Sequence, residues 1–515
     1  MAEKRVAVIG AGPSGLAAAR QAIAHNVTPV VFEQRDVIGG RWSYARDPKY
    51  ITHLPSTKTK YSKILSSFSD FPASEEYSEF LTQPEVEKYL QSYVDNFNLQ
   101  QYIQLNTTVT GIKRHENYSE NGVWLVSYER DGSDKVEEFE YVLIATGRTH
   151  RAYRPNLYRK EGEFQGRISH SAQYKSSSDF KNQKVVLVGF GDTAIELAKD
   201  LAGVAKDVII CVRHGEWLNF RTNSATNTAW DPNYNSRLSA AVRKFVPTQI
   251  LNKIYEKSSK SQLDLKNYGI LDCKFGYWNT IPVFGDGLRE CLERGDVRLE
   301  KDFLSFGTDY IEYEGKKVEE NVDQVIFCTG YEFDFRLVEN GTLIRVRNND
   351  SQLYLHMFHA ELPKGNLAVI GLANSFGPRF PISELQAKVF FGLHCGKWRP
   401  PSEPVMRERA EWKRCQISVN YLKTRRHTQI EGYVDFMKEL ASKIDVDLKT
   451  SMFITDPLLA LKCCILPMSS AQFRLGSNNS KEVREQLMRL TSENSGVLWA
   501  ILAVLVLVLA YFMLL

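Results

Sequence analysis

The feature that most constrains this chain is a short apolar run followed at once by three spaced glycines. The run from Val6 to Ile9 is typical of a buried parallel strand, and Gly10, Gly12 and Gly15 follow it as G-x-G-x-x-G. The first glycine permits a tight turn, the second lets backbone approach a pyrophosphate, and the third lets the next helix pack closely on the strand. The pattern predicts a strand, turn and helix with phosphates at the helix N-terminus.

An acidic residue after the next strand supports a dinucleotide at this turn. The apolar run from Thr28 to Phe32 ends in Glu33, about 20 residues past the glycines, where a carboxylate accepts hydrogen bonds from ribose hydroxyls. The run Gly39-Gly40-Arg41-Trp42 then offers a backbone that can fold against a dinucleotide, together with a charge and a stacking face. We therefore expect an adenine dinucleotide near the N-terminus.

The same arrangement recurs in the middle of the chain. The apolar run from Lys184 to Val188 leads into Gly189, Gly191 and Ala194, spaced as G-x-G-x-x-A. The following strand ends in Arg213 rather than in an acid. Because an arginine pairs with a 2′-phosphate that a carboxylate would repel, the second dinucleotide is predicted to be NADPH.

These repeats predict an α/β fold with two doubly wound, Rossmann-like dinucleotide-binding domains, one inserted in the other. Two further apolar strands end in Thr-Gly, at Gly147 and Gly330, and each brings backbone close to a nucleotide. Asn-Gly and Asp-Gly turns within residues 101–138 predict a small antiparallel excursion. The predicted units are an FAD-binding domain of residues 1–154 and 331–450, an NADPH-binding domain of 155–330 with an insertion at 215–282, and a C-terminal region of 451–496.

The last residues of the chain form an uncharged apolar run. Residues 497–515 carry no charge, and as a helix they would span roughly 28 Å, close to the thickness of a bilayer core. Trp499 and Tyr511 suit the two membrane interfaces. At the other end, Lys4 and Arg5 lead directly into the first strand without a signal peptide. We expect a C-terminal transmembrane tail anchor with the body of the protein in the cytosol.

Composition excludes several classes of protein. The net charge is only +4 and the sequence has no dense block of lysine and arginine, which argues against a nucleic-acid partner. The eight cysteines are irregularly spaced and form no C-x-x-C. That spacing argues against a disulfide framework, a structural zinc site and a dithiol redox centre, so we expect no bound metal.

One segment is more specific than the glycine loops. The residues from Phe164 to Tyr174 fit F-x-G-x-x-x-H-x-x-x-(Y/F) immediately before the second glycine loop. This segment resembles the identifying sequence of flavin-containing monooxygenases, and the chain is similar to the animal microsomal, dimethylaniline monooxygenase-like branch over essentially its whole length. Further matching segments are Phe32 to Trp42, Phe68 to Pro72, Asn267 to Gly269, Phe327 to Tyr331, Glu384 to Ala387 and Thr455 to Pro457.

The resemblance implies a particular chemistry and location. NADPH would reduce FAD, O₂ would add at the flavin C4a atom, and the resulting hydroperoxide would oxygenate a soft nucleophilic nitrogen or sulfur. Because the cofactor carries this chemistry, neither a protein nucleophile nor a metal is required. The implied partners are O₂, small lipophilic amines or thioethers, and the endoplasmic reticulum membrane, reached through the C-terminal helix; a homo-oligomer is left open.

The resemblance also assigns site residues. It implies that Thr59 and Lys60 lie at the reaction centre. The FAD-binding residues that it implies are Gly10, Ala11, Gly12, Pro13, Ser14, Gly15, Glu33, Gly40, Arg41, Trp42, Tyr61 and Gln386. The NADPH-binding residues that it implies are Gly189, Gly191, Asp192, Thr193, Ala194, Ile195, Glu196, Arg213 and Arg221.

Two departures from the family pattern leave alternatives open. The second glycine loop continues with Asp192-Thr193 where the family usually has Asn-Ser, and Lys60 stands where the family has an asparagine. A lysine donates hydrogen bonds, cannot accept them, and adds a positive charge. It could favour Baeyer–Villiger chemistry by stabilising a deprotonated flavin peroxide, or it could make the protein an NADPH oxidase that releases hydrogen peroxide. A non-catalytic flavoprotein scaffold is a further alternative, although both glycine loops are intact.

Overall fold

The structure is a computed structural model that describes residues 4–222, 228–271, 273–313, 318–476 and 480–489. Within these ranges the strands, in chain order, are β1 Arg5–Ile9, β2 Thr28–Phe32, β3 Ile103–Gln104, β4 Thr107–Arg114, β5 Trp124–Arg130, β6 Ser133–Phe139, β7 Tyr141–Ile144, β8 Arg151–Ala152, β9 Arg167–His170, β10 Lys184–Val188, β11 Asp207–Val212, β12 Leu218–Asn219, β13 Val283–Phe284, β14 Val297–Lys301, β15 Phe303–Phe306, β16 Ile311–Tyr313, β17 Val318–Glu319, β18 Gln324–Phe327, β19 Tyr331–Glu332, β20 Leu367–Val369, β21 Asn374–Ser375 and β22 Ile430–Glu431.

Besides short 3-10 helices, the α-helices of the same ranges are, in chain order, α1 Pro13–Ala24, α2 Lys63–Ser66, α3 Gln83–Asn96, α4 Tyr118–Asn121, α5 Asp192–Leu201, α6 Asp231–Tyr234, α7 Arg237–Phe245, α8 Thr248–Gln262, α9 Leu288–Arg294, α10 Arg379–His394, α11 Glu403–Asn420, α12 Tyr433–Lys443, α13 Met452–Thr455, α14 Pro457–Ile465 and α15 Ser480–Arg489.

The first parallel sheet has the strand order β20-β7-β1-β2-β3. Because side chains alternate along a strand, β1 contributes to two different cores. Val6 and Val8 face the layer formed by α1, α10 and α12. Ala7 and Ile9 face the opposite layer, which contains the buried Trp124 of the antiparallel sheet β4-β5-β6. Both faces of the sheet are therefore covered, as an all-parallel sheet requires.

The second parallel sheet has the order β14-β11-β10-β18-β9. Val185 and Leu187 of β10 pack against α5 and α9, and Val186 and Val188 pack toward the three-stranded sheet β15-β16-β17. The two sheets thus repeat one design, in which helices cover one face and a small antiparallel sheet covers the other. The predicted α/β architecture with Rossmann-like parallel sheets is confirmed.

The chain passes from the first sheet to the second and returns. The second sheet takes its strands from Arg167 to Phe327, whereas β20 joins the first sheet after the second is complete. The predicted antiparallel excursion is present as β4-β5-β6, and its last two strands are joined at Asp131 and Gly132, both with positive φ. The exact domain boundaries stay a prediction.

The described part of residues 215–282, the predicted insertion, is mainly helical and adds no further sheet layer. The helices α6, α7 and α8 lie in this stretch, and β12 pairs with β13 at its two ends. No helix of the described ranges is both long and apolar enough to cross a membrane. The predicted anchor at residues 497–515 lies outside the described residues.

Candidate active site

The first glycine loop closely approaches the carboxyl end of β7. Gly10 has a φ of +105°, and a Cβ atom there would lie 2.8 Å from the carbonyl oxygen of Ala145. A Cβ atom on Gly15 would lie 1.8 Å from the carbonyl oxygen of Gly10. Only glycine fits at both positions, so α1 starts directly against the strand and its first N–H groups are left to bind an anion.

Glu33 and the Gly39-Gly40 turn both lie against the first glycine loop. Glu33, 6% exposed, accepts hydrogen bonds from the backbone N–H groups of Ala11 (2.8 Å) and Arg35 (3.0 Å). Burial raises the pKa of Glu33, against the lowering effect of those N–H donors. The N–H of Gly39 donates to the carbonyl of Ala11 (2.9 Å), which places the Gly39-Gly40 turn on the glycine loop.

The second glycine loop repeats the geometry of the first. Gly189 has a φ of +107°, and a Cβ atom there would lie 3.1 Å from the carbonyl oxygen of Cys328, at the end of β18. A Cβ atom on Gly191 would have no described heavy atom within 4 Å. Ala194 and Ile195 are buried against the sheet. The loop therefore leaves open space in front of α5.

A cavity of about 340 Å³ lies between the start of α5 and residues of the first parallel-sheet unit. Its walls include eight residues predicted from the sequence: Arg41, Trp42, Thr59, Lys60, Tyr61, Asp192, Thr193 and Glu196. They come from both parallel-sheet units, so the cavity is where the two units meet. Residues that sequence reasoning missed also line it, among them His53, Trp230, Tyr331 and Arg379.

Lys60 and Asp192, the two departures from the family pattern, form an ion pair with each other across this cavity. Burial alone would raise the pKa of Asp192, but the positive charges of Lys60 and Arg426 outweigh it and lower that pKa to about 2. Burial lowers the pKa of Lys60, and the charge of Asp192 opposes that change. The second oxygen of the Asp192 carboxylate accepts the N–H of Phe284 at 3.0 Å.

The backbone around Lys60 is fixed by residues far away in the sequence. The Arg221 guanidinium donates to the carbonyl oxygens of Thr59 (2.8 Å) and Lys58 (3.0 Å) and pairs with Asp286 at 2.7 Å. The Trp230 indole N–H donates to the carbonyl of Lys60 at 3.3 Å. Arg221 thus holds the loop in this structure, and its predicted contact with NADPH stays a prediction.

Two other predicted residues lie outside the cavity wall. Arg213 is exposed just after the carboxyl end of β11, where a 2′-phosphate can reach it. Gln386 is buried on α10, where it accepts the N–H of Gly371 (3.0 Å) and donates to the carbonyl of Leu355 (3.2 Å). Gln386 ties the end of β20 to its surroundings, and its role toward FAD stays a prediction.

Guanidinium groups gather beside the cavity, close enough to one another to interact. Burial and then the charges of Arg379, Arg426 and Arg41 lower the pKa of Arg148. Within the described part of the chain, Nε and Nη1 of Arg148 and Nε of Arg41 are buried without a hydrogen-bond partner. Buried unpaired donors are costly, so this surface fits a ligand that carries phosphate groups, as FAD and NADPH do.

Two parallel sheets, each with a glycine loop at the carboxyl ends of its strands and one shared cavity between them, define an oxidoreductase of the two-dinucleotide class. The family model described as flavin-binding monooxygenase-like matches residues 3–494. The chain belongs to this family. It is a flavin-dependent monooxygenase that uses FAD and NADPH.

Curated relatives cover nearly the same length. The chain is 31% identical over 479 residues to flavin-containing monooxygenase 5 of Rattus norvegicus, covering 92% of this chain and 89% of that protein. It is 32% identical over 479 residues to dimethylaniline monooxygenase [N-oxide-forming] 2 of the same species, covering 92% and 88%. Membership of this family favours the predicted monooxygenase that acts on nitrogen or sulfur over a peroxide-releasing oxidase, a Baeyer–Villiger enzyme or a non-catalytic scaffold.

Solved structures share the fold at low sequence identity. S-allyl-L-cysteine S-oxygenase from Allium sativum aligns with a TM-score of 0.65 and 20% identity, covering 96% of this chain and 97% of that one. Cyclohexanone monooxygenase from Rhodococcus sp. Phi1 bound to NADP⁺ aligns with a TM-score of 0.63 and 18% identity, covering 86% and 98%. Both support the fold of the chain.

Proposed function

We propose that this protein oxygenates nucleophilic nitrogen or sulfur in small lipophilic compounds, with NADPH as the reductant and O₂ as the oxygen source. The observation that carries the proposal is the cavity where the two parallel-sheet units meet, because a hydride can pass between two dinucleotides only where their binding sites meet. The names of two relatives point to the substrate class, since one forms N-oxides and another is an S-oxygenase.

The residues at each loop fit one cofactor. The first loop with Glu33, Arg41 and Trp42 would hold FAD, and the second loop with Thr193 and Arg213 would hold NADPH. FAD, once reduced by NADPH, supplies the activation of O₂. The chain itself supplies binding, orientation and a controlled environment for that chemistry.

The cavity wall is suited to excluding water. The Trp42 ring packs on His53 with centroids 4.3 Å apart, and the Tyr61 ring packs on Trp230 at 5.7 Å. Burial lowers the pKa of His53 well below its ordinary value, so its imidazole is neutral at neutral pH. These aromatic surfaces suit a lipophilic substrate and limit the access of water to a reactive oxygen species.

The domain plan and location extend this proposal. Residues 1–154 and 331–450 would form the FAD-binding domain, into which the NADPH-binding domain of 155–330 is inserted, in keeping with the return of β20 to the first sheet. The apolar run 497–515 would anchor the protein in the endoplasmic reticulum membrane with the body in the cytosol. Lipophilic substrates concentrate in such a membrane.

Product analysis tests the proposed function directly. The full-length protein, loaded with FAD, is supplied with NADPH, O₂ and one probe at a time: N,N-dimethylaniline, methyl p-tolyl sulfide or cyclohexanone. We expect N-oxide and sulfoxide, quantified by mass spectrometry, to account for most of the NADPH consumed.

Hydrogen peroxide is measured in the same reactions and in reactions without a probe. If peroxide accounted for all of the NADPH with every probe, the protein would be an oxidase. If only cyclohexanone gave a product, a lactone, the Baeyer–Villiger alternative would replace the proposal.

A further inference from the structure

Loop 57–62 and helix α5 are joined by two side-chain contacts one helical turn apart. Lys60 forms its ion pair with Asp192, the first residue of α5. Thr57 donates to the carboxylate of Glu196 at 3.2 Å. Because residues four apart lie on one face of a helix, both acids face the loop. The first parallel-sheet unit thus contacts the helix that begins at the second glycine loop.

Asp192 places a negative charge at the helix N-terminus where the nucleotide phosphates are expected to bind. The first turn of a helix has free N–H groups and a partial positive charge, which favour an anion. A carboxylate in that turn competes with the phosphates of a nucleotide for the same field and repels them. Gly191, the residue before Asp192, borders the open space in front of this turn.

The groups around Asp192 compensate its negative charge. One carboxylate oxygen accepts the N–H of Phe284 at 3.0 Å, and the other pairs with Lys60 and lies 3.9 Å from Arg426. The carboxylate is therefore neutralised from the loop side. Lys60 reaches it from a backbone held by Arg221 and Trp230.

We propose that Lys60 is a positioning residue for the pyridine nucleotide: it cancels the charge of Asp192 at the N-terminus of α5, so that the phosphates of NADPH can bind there. The inference rests on the proposed function, because it takes the second glycine loop as the NADPH site. Lys60 acts through Asp192 and not on the reacting atoms.

A set of four variants tests the proposal: Lys60→Asn, Asp192→Asn, the double variant and Lys60→Arg. NADP⁺ affinity is measured by equilibrium titration of the FAD-loaded full-length protein. Lys60→Asn leaves the carboxylate with only the more distant Arg426 of these two cations, 3.9 Å away, and we expect the Kd to rise about 10-fold or more. Asp192→Asn, the double variant and Lys60→Arg carry no uncompensated negative charge, and we expect each to bind within about 3-fold of the wild type or more tightly.

Lys184→Asn is the matched control. Lys184 pairs with Glu319 at 2.7 Å, and both side chains are largely buried in the same parallel-sheet unit but outside the cavity wall. We expect this variant to lower the thermal midpoint while leaving the Kd for NADP⁺ unchanged. FAD content, read from flavin absorbance, is determined for every variant so that loss of flavin is not mistaken for loss of NADP⁺.

The outcomes separate three cases. An unchanged Kd in Lys60→Asn, or a Kd raised as much in the double variant as in Lys60→Asn, would overturn the inference in favour of a merely structural contact. If Lys60→Asn does not fold, two other variants decide. Weakened NADP⁺ binding in Asp192→Asn or in the double variant would overturn the inference, and wild-type affinity in both would support it. A wild-type protein that binds FAD but not NADP⁺ would instead refute the proposed function.

Discussion

Gly189 and Gly191 stand two residues apart in one turn, yet a methyl group would meet different surroundings at each. At Gly191 it would enter open space and require no unusual backbone angle, whereas at Gly189 it would force an L-residue into a φ of +107°. We therefore expect Gly191→Ala to keep the thermal midpoint of the wild type and to weaken NADP⁺ binding about 10-fold, by filling the space that the pyrophosphate needs.

Gly189→Ala is the comparison variant for that experiment. It strains the backbone by on the order of 1–3 kcal/mol and should lower the thermal midpoint. Equilibrium NADP⁺ titration and thermal unfolding of both variants provide the check. Normal NADP⁺ affinity in Gly191→Ala would mean that the nucleotide does not lie in front of α5.

At the residue scale, the sequence revealed those positions whose identity is dictated locally. Only glycine fits at Gly10, Gly15 and Gly189, so spacing alone found them. Lys60 and Asp192 could be noted one at a time, but they are 132 residues apart and only the fold brings them together. Arg379 and Arg426 carry no spacing signal at all, because a single arginine outside a recognisable motif resembles any surface residue.

At the scale of elements, loop 57–62 and helix α6 share a buried carboxylate. The N–H and hydroxyl of Ser62 donate to Asp231 at 2.7 and 2.9 Å, and Asp231 is 0% exposed. Burial raises its pKa from 3.8 to about 7. Between these values the folded protein binds a proton that the unfolded chain has released, so this group's contribution to the free energy of unfolding falls as pH rises through that window and is constant above it.

Asp231→Asn keeps an acceptor for Ser62 and cannot ionise. We expect it to increase the free energy of unfolding, relative to the wild type, by about 3 kcal/mol more at about pH 8 than at about pH 5. Thermal midpoints followed by flavin fluorescence at both pH values provide the measurement. Asp131→Asn, at an exposed turn, is the control and should show the same difference from wild type at both pH values. If Asp231→Asn also differed from the wild type by the same amount at both pH values, the prediction would be contradicted.

The regular elements of both sheets were predictable because parallel strands are apolar on both faces and therefore appear as continuous apolar runs. The strand β9, Arg167–His170, was not predictable in this way, since it is an edge strand with a polar sequence. The four-residue helix α6 was equally hidden, because its position depends on contacts such as that of Ser62 with Asp231 and not on a strong local pattern.

At the scale of the whole molecule, the proposed anchor predicts how the protein partitions. When expressed in eukaryotic cells, the full-length chain should sediment with microsomes, and a version ending at residue 489 should remain in the supernatant, because an uncharged run of this length partitions into the bilayer core. Fractionation at high salt followed by immunoblotting measures this.

A single charged substitution within residues 497–515 provides the matched control for the truncation. Leu507→Lys places an ammonium group near the middle of the segment and should release part of the protein, since a charged residue at the bilayer centre costs about 2.5–3.5 kcal/mol or more. Continued sedimentation of the version ending at residue 489 would show that another surface holds the protein on the membrane.

The contact between Lys60 and Asp192 also limits how the family can diversify at this point. The two side chains are 37% and 23% exposed, so solvent screens their pairing and losing one partner costs less than the about 3–5 kcal/mol of a fully buried pair. A lineage that lost the lysine alone would leave the Asp192 carboxylate facing the phosphates of the nucleotide unless Asp192 changed soon afterwards. Positions 60 and 192 should therefore be inherited as a pair, with lysine and aspartate together in some descendants and two uncharged residues in others.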